Sequence, residues 1–403
     1  MPDFARTKKL IATALGRQAA DLAIINANLV NVFTAEIIPQ STITVSNGII
    51  AGIGQAPPGA IGAGTKIIDA AGDFVLPGYI ETHTHIANVF RLHDFCAAVL
   101  PHGTTTVFSE ATELGNSLGR QGLNWLLEEA ATLPFDLNFT APCFSPPYPD
   151  FESCHPISPA EYEELFQRQK IAGIGEAYWP DIIKGDARTL ELLALAQYYH
   201  KPVQGHSAGA KEAQLNAFVA AGISSCHEPI DAEQARARLR LGLNLMIREG
   251  SIRRDLAGVA PVKELTRESR RMTISTDGVT PSWLLSEGHL DTLGQRAVAL
   301  GFDPLTVVQM LTLNGAEAFA RQDIGALAPG RRADILIVPI LEKFTPRLVL
   351  CRGEICARHG QMSRGKISPP YQYPPAAFNS ISLKPVTAST FLYPTTRSGQ
   401  VKV

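Results

Sequence analysis

Short apolar runs alternate with longer amphipathic stretches along the middle of the chain, from about residue 74 to residue 321. This alternation is typical of parallel βα units, in which each strand is buried on both faces and helices cover the sheet. Eight such units in roughly 250 residues is the size of a (β/α)8 barrel. The predicted strands are, in chain order, FVLPGYIETHTH, TTTVFSE, DLNFTAPCF, IAGIGEAY, KPVQGHS, SSCHEP, LNLMIREG and RMTISTDG.

The pattern differs on both sides of this region, where shorter strand-like runs are separated by turns. Residues 21–69 include an Asn47-Gly48 hairpin signal, and GALAPGRRADILIVPI and RLVLCRGEICARHGQ follow the barrel region. We therefore predict an α/β protein with a TIM-like barrel and a small β-sandwich domain built from both ends of the chain. The predicted segments are 1–73 (N-terminal helix and first part of the sandwich), 74–321 (barrel), 322–366 (second part of the sandwich) and 367–403 (a proline-rich tail or the start of an incomplete further domain).

Composition and charge narrow the class of partner. The chain has 403 residues, of which 45% are hydrophobic and 18% charged, with a formal net charge of -2. No run of like charges indicates a nucleic-acid or membrane surface, so we expect a small-molecule partner and leave homo-oligomerisation open. Six cysteines are scattered without a CxxC pair, which favours a reducing, cytoplasmic location. The N-terminal stretch is better explained as an amphipathic helix than as a signal or a membrane span.

Histidines and carboxylates lie at the carboxyl ends of the predicted strands, where a barrel places its active site. Imidazole and carboxylate groups suit one or two divalent ions such as Mn, Fe or Zn. Two ions with an open position lower the pKa of a bound water, which predicts hydrolysis. The candidates are His83 and His85 on strand one, Glu176 on strand four, His206 on strand five, His227 and Glu228 on strand six, and Asp277 on strand eight.

Each candidate also has a plain structural explanation. A single histidine at a strand end is more often a hydrogen-bonded core residue than a ligand, and Asp277 before Gly278 could be a turn residue. Their joint occurrence at matching barrel positions favours the metal site. Four further residues lie near the predicted mouth and are candidates for substrate binding together with Glu228, although those in IREGS could equally form ion pairs: Arg248, Glu249, Ser251 and Glu110.

With these residues in place, the chain resembles the amidohydrolase superfamily and, within it, the bacterial adenine deaminases. The superfamily motif is PGYIETHTH after a β unit, and the resemblance spans about residues 20 to 360. The closer matches are DLAIINANLVNVFTAEI, AAVLPHGTTTV, GIGEAYWPDIIKGD, GHSAG, AAGISSCHE, RLRLGLNLMIREGS, EGHLD, MLTLNGAEAF and GALAPGRRADILIV.

The resemblance implies roles for the candidate residues. His83 and His85 would bind one metal with Asp277, and Glu176 would bridge to a second metal held by His206 and His227. The implied reaction is hydrolysis of a C–N bond in a cyclic amidine: hydroxide attacks C6 of adenine, and hypoxanthine and ammonia are released. Asp277, Glu176 and His227 would be the catalytic residues.

The chain departs from the family pattern at three places. The family usually has a glutamate and serines after the HxH-Ile where this chain has HIANVF, a Pro-His-Glu segment where it has SEATELGN, and two successive aspartates where it has Asp277 and Gly278. FNSISLKPVTASTF resembles the first strand of a further C-terminal domain. Two other activities stay open at this stage, the opening of a cyclic amide and deamination of another heterocycle. A non-catalytic binding protein is disfavoured because all six ligand positions are filled. A phosphate-ester hydrolase is disfavoured because no basic pocket is evident.

Overall fold

The fold is described from a computed structural model, which covers residues 4–143, 155–378 and 385–392. The chain divides into two compact units, Met1–Tyr371 and Gln372–Val403. In the second unit, the described residues contain two short 3-10 helices, Pro375–Phe378 and Ala388–Phe391. The stretch that resembles a first strand of a further domain therefore has 3-10 turns at both ends, and its residues 379–384 lie outside the described ranges.

The first unit begins with the predicted amphipathic helix and continues into strands with tight turns. β1 and β2 pair in antiparallel fashion, and β2 and β3 form the hairpin whose turn contains Asn47 and Gly48. Both turn residues adopt positive φ, which a tight hairpin turn requires and which Asn and Gly tolerate better than other residues. The elements are α1 (Phe4–Ala14), β1 (Leu22–Asn31), β2 (Glu36–Ser46), β3 (Ile49–Gly54), β4 (Lys66–Asp69) and β5 (Phe74–Pro77).

Eight parallel strands then follow in the described part of the chain, each paired with the next along the sequence. They are β6 (Tyr79–Thr84), β7 (Thr104–Glu110), β8 (Asp136–Ala141), β9 (Ile171–Tyr178), β10 (Val203–His206), β11 (Ser225–Cys226), β12 (Asn244–Arg248) and β13 (Met272–Ser275). The intervening helices are α2 (Leu92–Val99), α3 (Thr112–Ala131), α4 (Pro159–Phe166), α5 (Trp179–Lys184), α6 (Ala187–Tyr198), α7 (Glu212–Ala220), α8 (Ala232–Arg240), α9 (Leu256–Val259) and α10 (Val262–Leu265). Two 3-10 turns, Ile86–Asn88 and Leu100–His102, flank α2. The predicted barrel and its eight strands are confirmed.

Helices α11 (Pro281–Glu287), α12 (Leu290–Ala299), α13 (Pro304–Leu311) and α14 (Leu313–Ala318) lead back to the β region. There the chain adds β14 (Ile335–Val338), a 3-10 turn (Leu341–Lys343), β15 (Leu348–Cys351), β16 (Glu354–Arg358) and β17 (Gln361–Met362). These strands join the N-terminal ones in one connected sheet of order β17-β16-β15-β14-β5-β1-β2-β3, with β4 also on β1. The sheet has its own apolar core, which includes Ile24, Ile43, Val75 and Ile337. A β unit built from both ends of the chain is thus confirmed, whereas the exact segment boundaries remain a prediction.

One predicted strand differs from the structure. The run FVLPGYIETHTH is divided at Gly78: β5 pairs with β1 and β14 in the outer sheet, and β6 pairs with β7 in the barrel. Both halves are almost entirely buried, so the hydrophobic pattern is continuous although the sheet partner changes. Because of this division, the first barrel strand begins at Tyr79, only a few residues before His83.

The barrel nearly closes between its last and first strands. Among the described strands β13 and β6 share no ladder, but the Thr82 and Thr273 hydroxyls lie 3.1 Å apart and the Asp277 N–H donates to the His83 carbonyl at 3.1 Å. Within the described ranges no helix combines the length and apolar character needed to span a membrane.

A buried ion cluster connects the start of β8 to the segment before β14. Asp136 is 1% exposed and accepts from Arg332 at 2.6 Å and from Arg321 at 3.0 Å, and it also accepts from Lys170. Although burial opposes ionisation, Arg332, Lys170 and Arg321 hold the pKa of Asp136 well below its usual range. The cluster therefore fixes the barrel to the C-terminal part of the outer sheet.

We expect Asp136→Asn to lower the free energy of unfolding by about 3 kcal/mol or more, because each of three cations loses a buried carboxylate partner. Asp323→Asn is the matched control, since Asp323 pairs with Arg321 but its side chain is half exposed. The control should cost about 1 kcal/mol or less. Urea unfolding at neutral pH measures both values, and equal losses would contradict the role of the buried cluster.

The same substitution has a pH signature. A carboxyl whose pKa is lower in the folded than in the unfolded state contributes stability above its unfolded pKa, about 3.9 for Asp, and loses it as the pH falls. The stability difference between the parent protein and Asp136→Asn should therefore be full at neutral pH and shrink below about pH 4. A difference that stays constant in acid would contradict this origin.

Candidate metal centre

The six residues predicted as metal ligands come together at the carboxyl ends of the barrel strands. Their donor atoms form two groups in which all atoms lie within 4.8 Å of one another. Glu176 belongs to both groups. The first group is His83, His85, Glu176 and Asp277, and the second is Glu176, His206 and His227.

In the first group, the histidine pair on one strand face meets a carboxylate from each of two other strands. His83 Nε2 lies 3.1 Å from Asp277 Oδ1 and 3.4 Å from Glu176 Oε1. His85 Nε2 lies 3.5 Å from the same Asp277 oxygen and 3.8 Å from the same Glu176 oxygen. All four side chains thus point at one small volume.

In the second group, Glu176 uses both of its oxygens. His227 Nε2 lies 2.9 Å from Glu176 Oε1, and His206 Nδ1 lies 3.7 Å from Glu176 Oε2. The His83 side chain is fully buried, whereas that of His206 is 32% exposed. His206 is therefore the most exposed of the six ligand side chains, whereas its partner His227 in the second group is only 1% exposed.

Two further side chains orient the first histidine pair. His83 Nδ1 lies 3.1 Å from the Gln204 amide oxygen, and the Gln204 amide nitrogen donates to the Thr82 carbonyl at 3.0 Å. His85 Nδ1 lies 2.8 Å from Glu113 Oε1. An acceptor at Nδ1 fixes the proton there and leaves Nε2 free as a ligand, which is the usual arrangement around a protein-bound metal.

The backbone at Asp277 explains one departure from the family pattern. Asp277 adopts φ of 50° and Gly278 φ of 100°. The second value lies in a region that L side chains rarely adopt, so a second aspartate at this position would be strained on this backbone. Gly278 is therefore consistent with the local turn that points Asp277 into the centre.

The carboxylates make the centre favourable for positive charge. Although burial opposes the charged imidazole, contacts with Asp277 and Glu176 raise the pKa of His83, and contacts with Glu176 and Glu228 raise that of His227. Burial likewise opposes ionisation of Glu176, yet the surrounding histidines hold its pKa well below its usual range. His83 and His227 stack with ring centroids 4.1 Å apart, an arrangement that disfavours two imidazolium charges.

Among the predicted substrate-binding residues, Glu228 and Arg248 lie at the centre. Glu228 Oε1 is 3.0 Å from His227 Nε2 and 3.2 Å from His206 Nδ1. Arg248 donates to Glu228 at 2.9 Å, and its Nη1 lies 3.4 Å from Asp277 Oδ2. Asp255 receives the other side of the guanidinium at 2.8 Å. Arg248 therefore connects the second group to Asp277.

The remaining three predicted residues are placed differently. Glu110 is buried 3.9 Å from His83 Nδ1 and accepts from Thr140, and burial raises its pKa to about 7. Glu249 pairs with Arg296 at 2.9 Å, and the Ser251 hydroxyl accepts from the Thr280 N–H. These contacts give Glu249 and Ser251 a structural explanation, so their role in substrate binding remains a prediction.

Gln204 is not among the candidate residues predicted from the sequence, and Glu113, which lies in SEATELGN after predicted strand two, has no predicted role. Gln204 lies two residues before His206, so the alternation of the strand was a signal that both side chains face the interior. Glu113 lies in the first turn of α3, and its approach to His85 depends on how that helix starts after β7. Although the segment SEATELGN departs from the family pattern, it therefore supplies a carboxylate, that of Glu113, to the centre.

Residues 74–356 match the model of the Amidohydrolase family. The chain belongs to this family. The match covers the barrel with its candidate metal centre and most of the C-terminal strands of the outer sheet.

The curated relatives of this amidohydrolase include adenine deaminases, which confirms the resemblance found in the sequence. The chain is 37% identical over 386 residues to the adenine deaminase of Moorella thermoacetica, covering 94% of this chain and 64% of that protein. It is 34% identical to adenine deaminase 3 of Rhizobium meliloti, with 93% and 64% covered. This amidohydrolase thus spans slightly less than two thirds of the length of the relatives it matches.

Solved structures support the fold of this amidohydrolase. A β-aspartyl dipeptidase from Fervidobacterium islandicum superposes with a TM-score of 0.64 at 16% identity, covering 85% of this chain and 97% of that one. An adenosine deaminase from Xanthomonas campestris with bound zinc superposes with a TM-score of 0.56 at 16% identity, covering 86% and 95%.

The donor set of this amidohydrolase fits a divalent metal. Imidazole nitrogens and carboxylate oxygens from five strand ends face one another. The Nδ1 atom of His206 is shielded from solvent and makes no well-aligned hydrogen bond among the described residues, although carboxylate oxygens of Glu228 and Glu176 lie 3.2 and 3.7 Å away. Such a nitrogen facing two carboxylates is suited to coordinate a cation.

We expect Glu113→Gln to weaken metal binding about tenfold or more, because a neutral amide replaces the charged carboxylate on the second nitrogen of His85, and such a partner of a metal-bound histidine typically contributes that much. Equilibrium dialysis of the protein against Zn²⁺ measures the affinity. Glu164→Gln is the control, since Glu164 is an exposed carboxylate whose side chain pairs with Arg120. An unchanged affinity in Glu113→Gln would contradict the orienting role of Glu113.

Proposed function

We propose that this amidohydrolase is a metal-dependent hydrolytic deaminase that converts adenine and water to hypoxanthine and ammonia. The convergence of four histidines with Glu176 and Asp277 is the observation on which the proposal rests. The names of the relatives at 37% and 34% identity supply the substrate. Because the chain spans only part of their length, the complete activity is a proposal.

The proposed cofactor is one or two divalent ions, Mn, Fe or Zn. One ion would be held by His83, His85 and Asp277, the other by His206 and His227, with Glu176 shared between them. When bound, such ions lower the pKa of water and polarise the group under attack. Each proposed site offers two imidazole nitrogens together with carboxylate oxygens, a donor set that is compatible with all three of these metals.

Asp277 is proposed to take the proton from the attacking water and pass it toward the leaving ammonia. Its Oδ1 lies 3.1 Å from His83 Nε2, while Oδ2 lies 3.4 Å from Arg248. Although burial opposes ionisation, His83 and His85 hold the pKa of Asp277 well below its usual range, so the carboxylate starts in the ionised form that accepts a proton.

Glu228 and Arg248 are proposed to contribute to substrate binding at the same mouth of the barrel. The Glu228 carboxylate is an acceptor suited to an N–H group of the purine, and Arg248 holds it in place at 2.9 Å. The side chain of Arg248 is 5% exposed and pairs with three carboxylates, so it is a rigid support for both Glu228 and Asp277.

The expected partner is thus a small aminated heterocycle. A cytoplasmic location is proposed from the cysteines, since the five that the structure describes are free and buried. Homo-oligomerisation remains open.

The substrate is tested by incubating the purified chain with adenine and with a panel of purines and pyrimidines, after loading with Mn²⁺, Fe²⁺ or Zn²⁺. We expect ammonia and hypoxanthine from adenine, and no product after a chelator has removed the metal. Product chromatography distinguishes the alternatives: a ring-opened carboxylate without ammonia would identify a cyclic amide hydrolase. No product with any metal, from a protein shown to be loaded, would contradict the proposal.

The proton transfer is tested by Asp277→Asn, for which we expect kcat to fall about a hundredfold or more, the usual contribution of a general base. Metal content must be measured alongside, because Asp277 is also a proposed ligand. Asp255→Asn is a matched control, since Asp255 pairs with Arg248 without belonging to either ligand group. Full activity of a metal-loaded Asp277→Asn protein would contradict the role of Asp277.

A further inference from the structure

Glu81 is a buried carboxylate at the seam between the last and first barrel strands. It is fully buried in β6 and is not a member of either ligand group. Its Oε1 accepts from the His83 N–H at 3.1 Å, and its Oε2 accepts from the Thr276 N–H at 3.1 Å. His83 is a proposed ligand and Thr276 directly precedes another, Asp277.

The seam explains why these N–H groups need a side-chain acceptor. In a closed parallel barrel each strand finds main-chain partners on both sides, but among the described strands β13 and β6 share no ladder. Buried N–H groups without an acceptor are costly, and Glu81 supplies the acceptors that a neighbouring strand would otherwise provide. The Asp277 N–H donates directly to the His83 carbonyl in the same place.

The surroundings of Glu81 hold the carboxylate where it is. His289 is also fully buried, and its Nε2 lies 3.6 Å from Glu81 Oε2. The other ring nitrogen of His289 lies 2.7 Å from the Thr104 hydroxyl, and its backbone N–H donates to Asp291. Glu81 is thus enclosed between the seam and a buried histidine that is itself fixed on two sides.

We propose that Glu81 is a positioning residue that sets the spacing between His83 and Asp277 before any metal binds. The inference depends on the metal centre of the proposed function. Its consequence is selective: the ion at His83, His85 and Asp277 needs Glu81. The ion at His206 and His227 does not, because those ligands lie at the ends of β10 and β11, away from the seam.

The test compares Glu81→Met, which removes both acceptors, with Glu81→Gln, whose amide oxygen still reaches both N–H groups from the position of Oε1. Glu129→Met is the matched control, because Glu129 in α3 is another fully buried carboxylate that accepts a backbone N–H, that of His93 at 3.2 Å. Stoichiometry and affinity are measured with Zn²⁺ alone, by metal analysis and competition with a chelating dye.

We expect one of two zinc ions to bind at least tenfold more weakly in Glu81→Met, with binding within threefold of the parent in Glu81→Gln and in Glu129→Met. Combining Glu81→Met with His85→Ala should weaken no further ion, since both changes affect the same one. Loss of both ions, loss of neither, or an equal loss in Glu129→Met would overturn the proposal.

A second measurement avoids the variants altogether. If Glu81 fixes the seam without metal, the amide of Thr276 should exchange its hydrogen slowly in the metal-free parent protein and equally slowly with Zn²⁺ bound. Protection that develops only after Zn²⁺ is added would overturn the proposal. A parent protein that binds no metal would instead contradict the proposed function, so the two failures are distinguishable.

Discussion

The contacts of Glu176 with four imidazole rings are the interaction on which the functional end of this protein depends. One carboxylate at the end of β9 lies 2.9 to 3.8 Å from nitrogens of His83, His85, His206 and His227. Burying such groups together is unfavourable unless each charge is compensated. The parallel barrel offsets the cost of burying these groups because it brings the ends of distant strands to one mouth. There each side chain contacts an opposite charge or a hydrogen-bond partner.

Much of the centre was predictable because each ligand follows an apolar strand directly. A buried run ending in HTH, GEA, GH, CHE or TD predicts a side chain at the mouth, and the barrel topology then requires the mouths to coincide. The supporting contacts were less accessible from the sequence. The pairing of Glu113 with His85 depends on the start of α3, and that of Glu249 with Arg296 depends on the position of α12.

In the fold, too, some features can be predicted from the local hydrophobic pattern, whereas others depend on tertiary contacts. Eight strands and a two-ended β unit follow from the periodicity, because both are read from local runs of apolar residues. The division of one run at Gly78 does not follow, since β5 and β6 are equally apolar and only their neighbours distinguish them. Likewise, a negative side chain in an apolar strand, Glu81, is recognisable as unusual, but one of its partners, Thr276, follows the last barrel strand and is distant in the sequence.

The division at Gly78 also affects how the protein should open. β5 is fixed in the outer sheet by β1 and β14, and β6 begins the barrel two residues later without an intervening loop. A segment this short offers no slack, so the outer sheet cannot separate from the barrel without pulling on the strand that ends in His83. The β unit and the barrel are therefore mechanically one body at this point, and they should lose their structure together and not as independent modules.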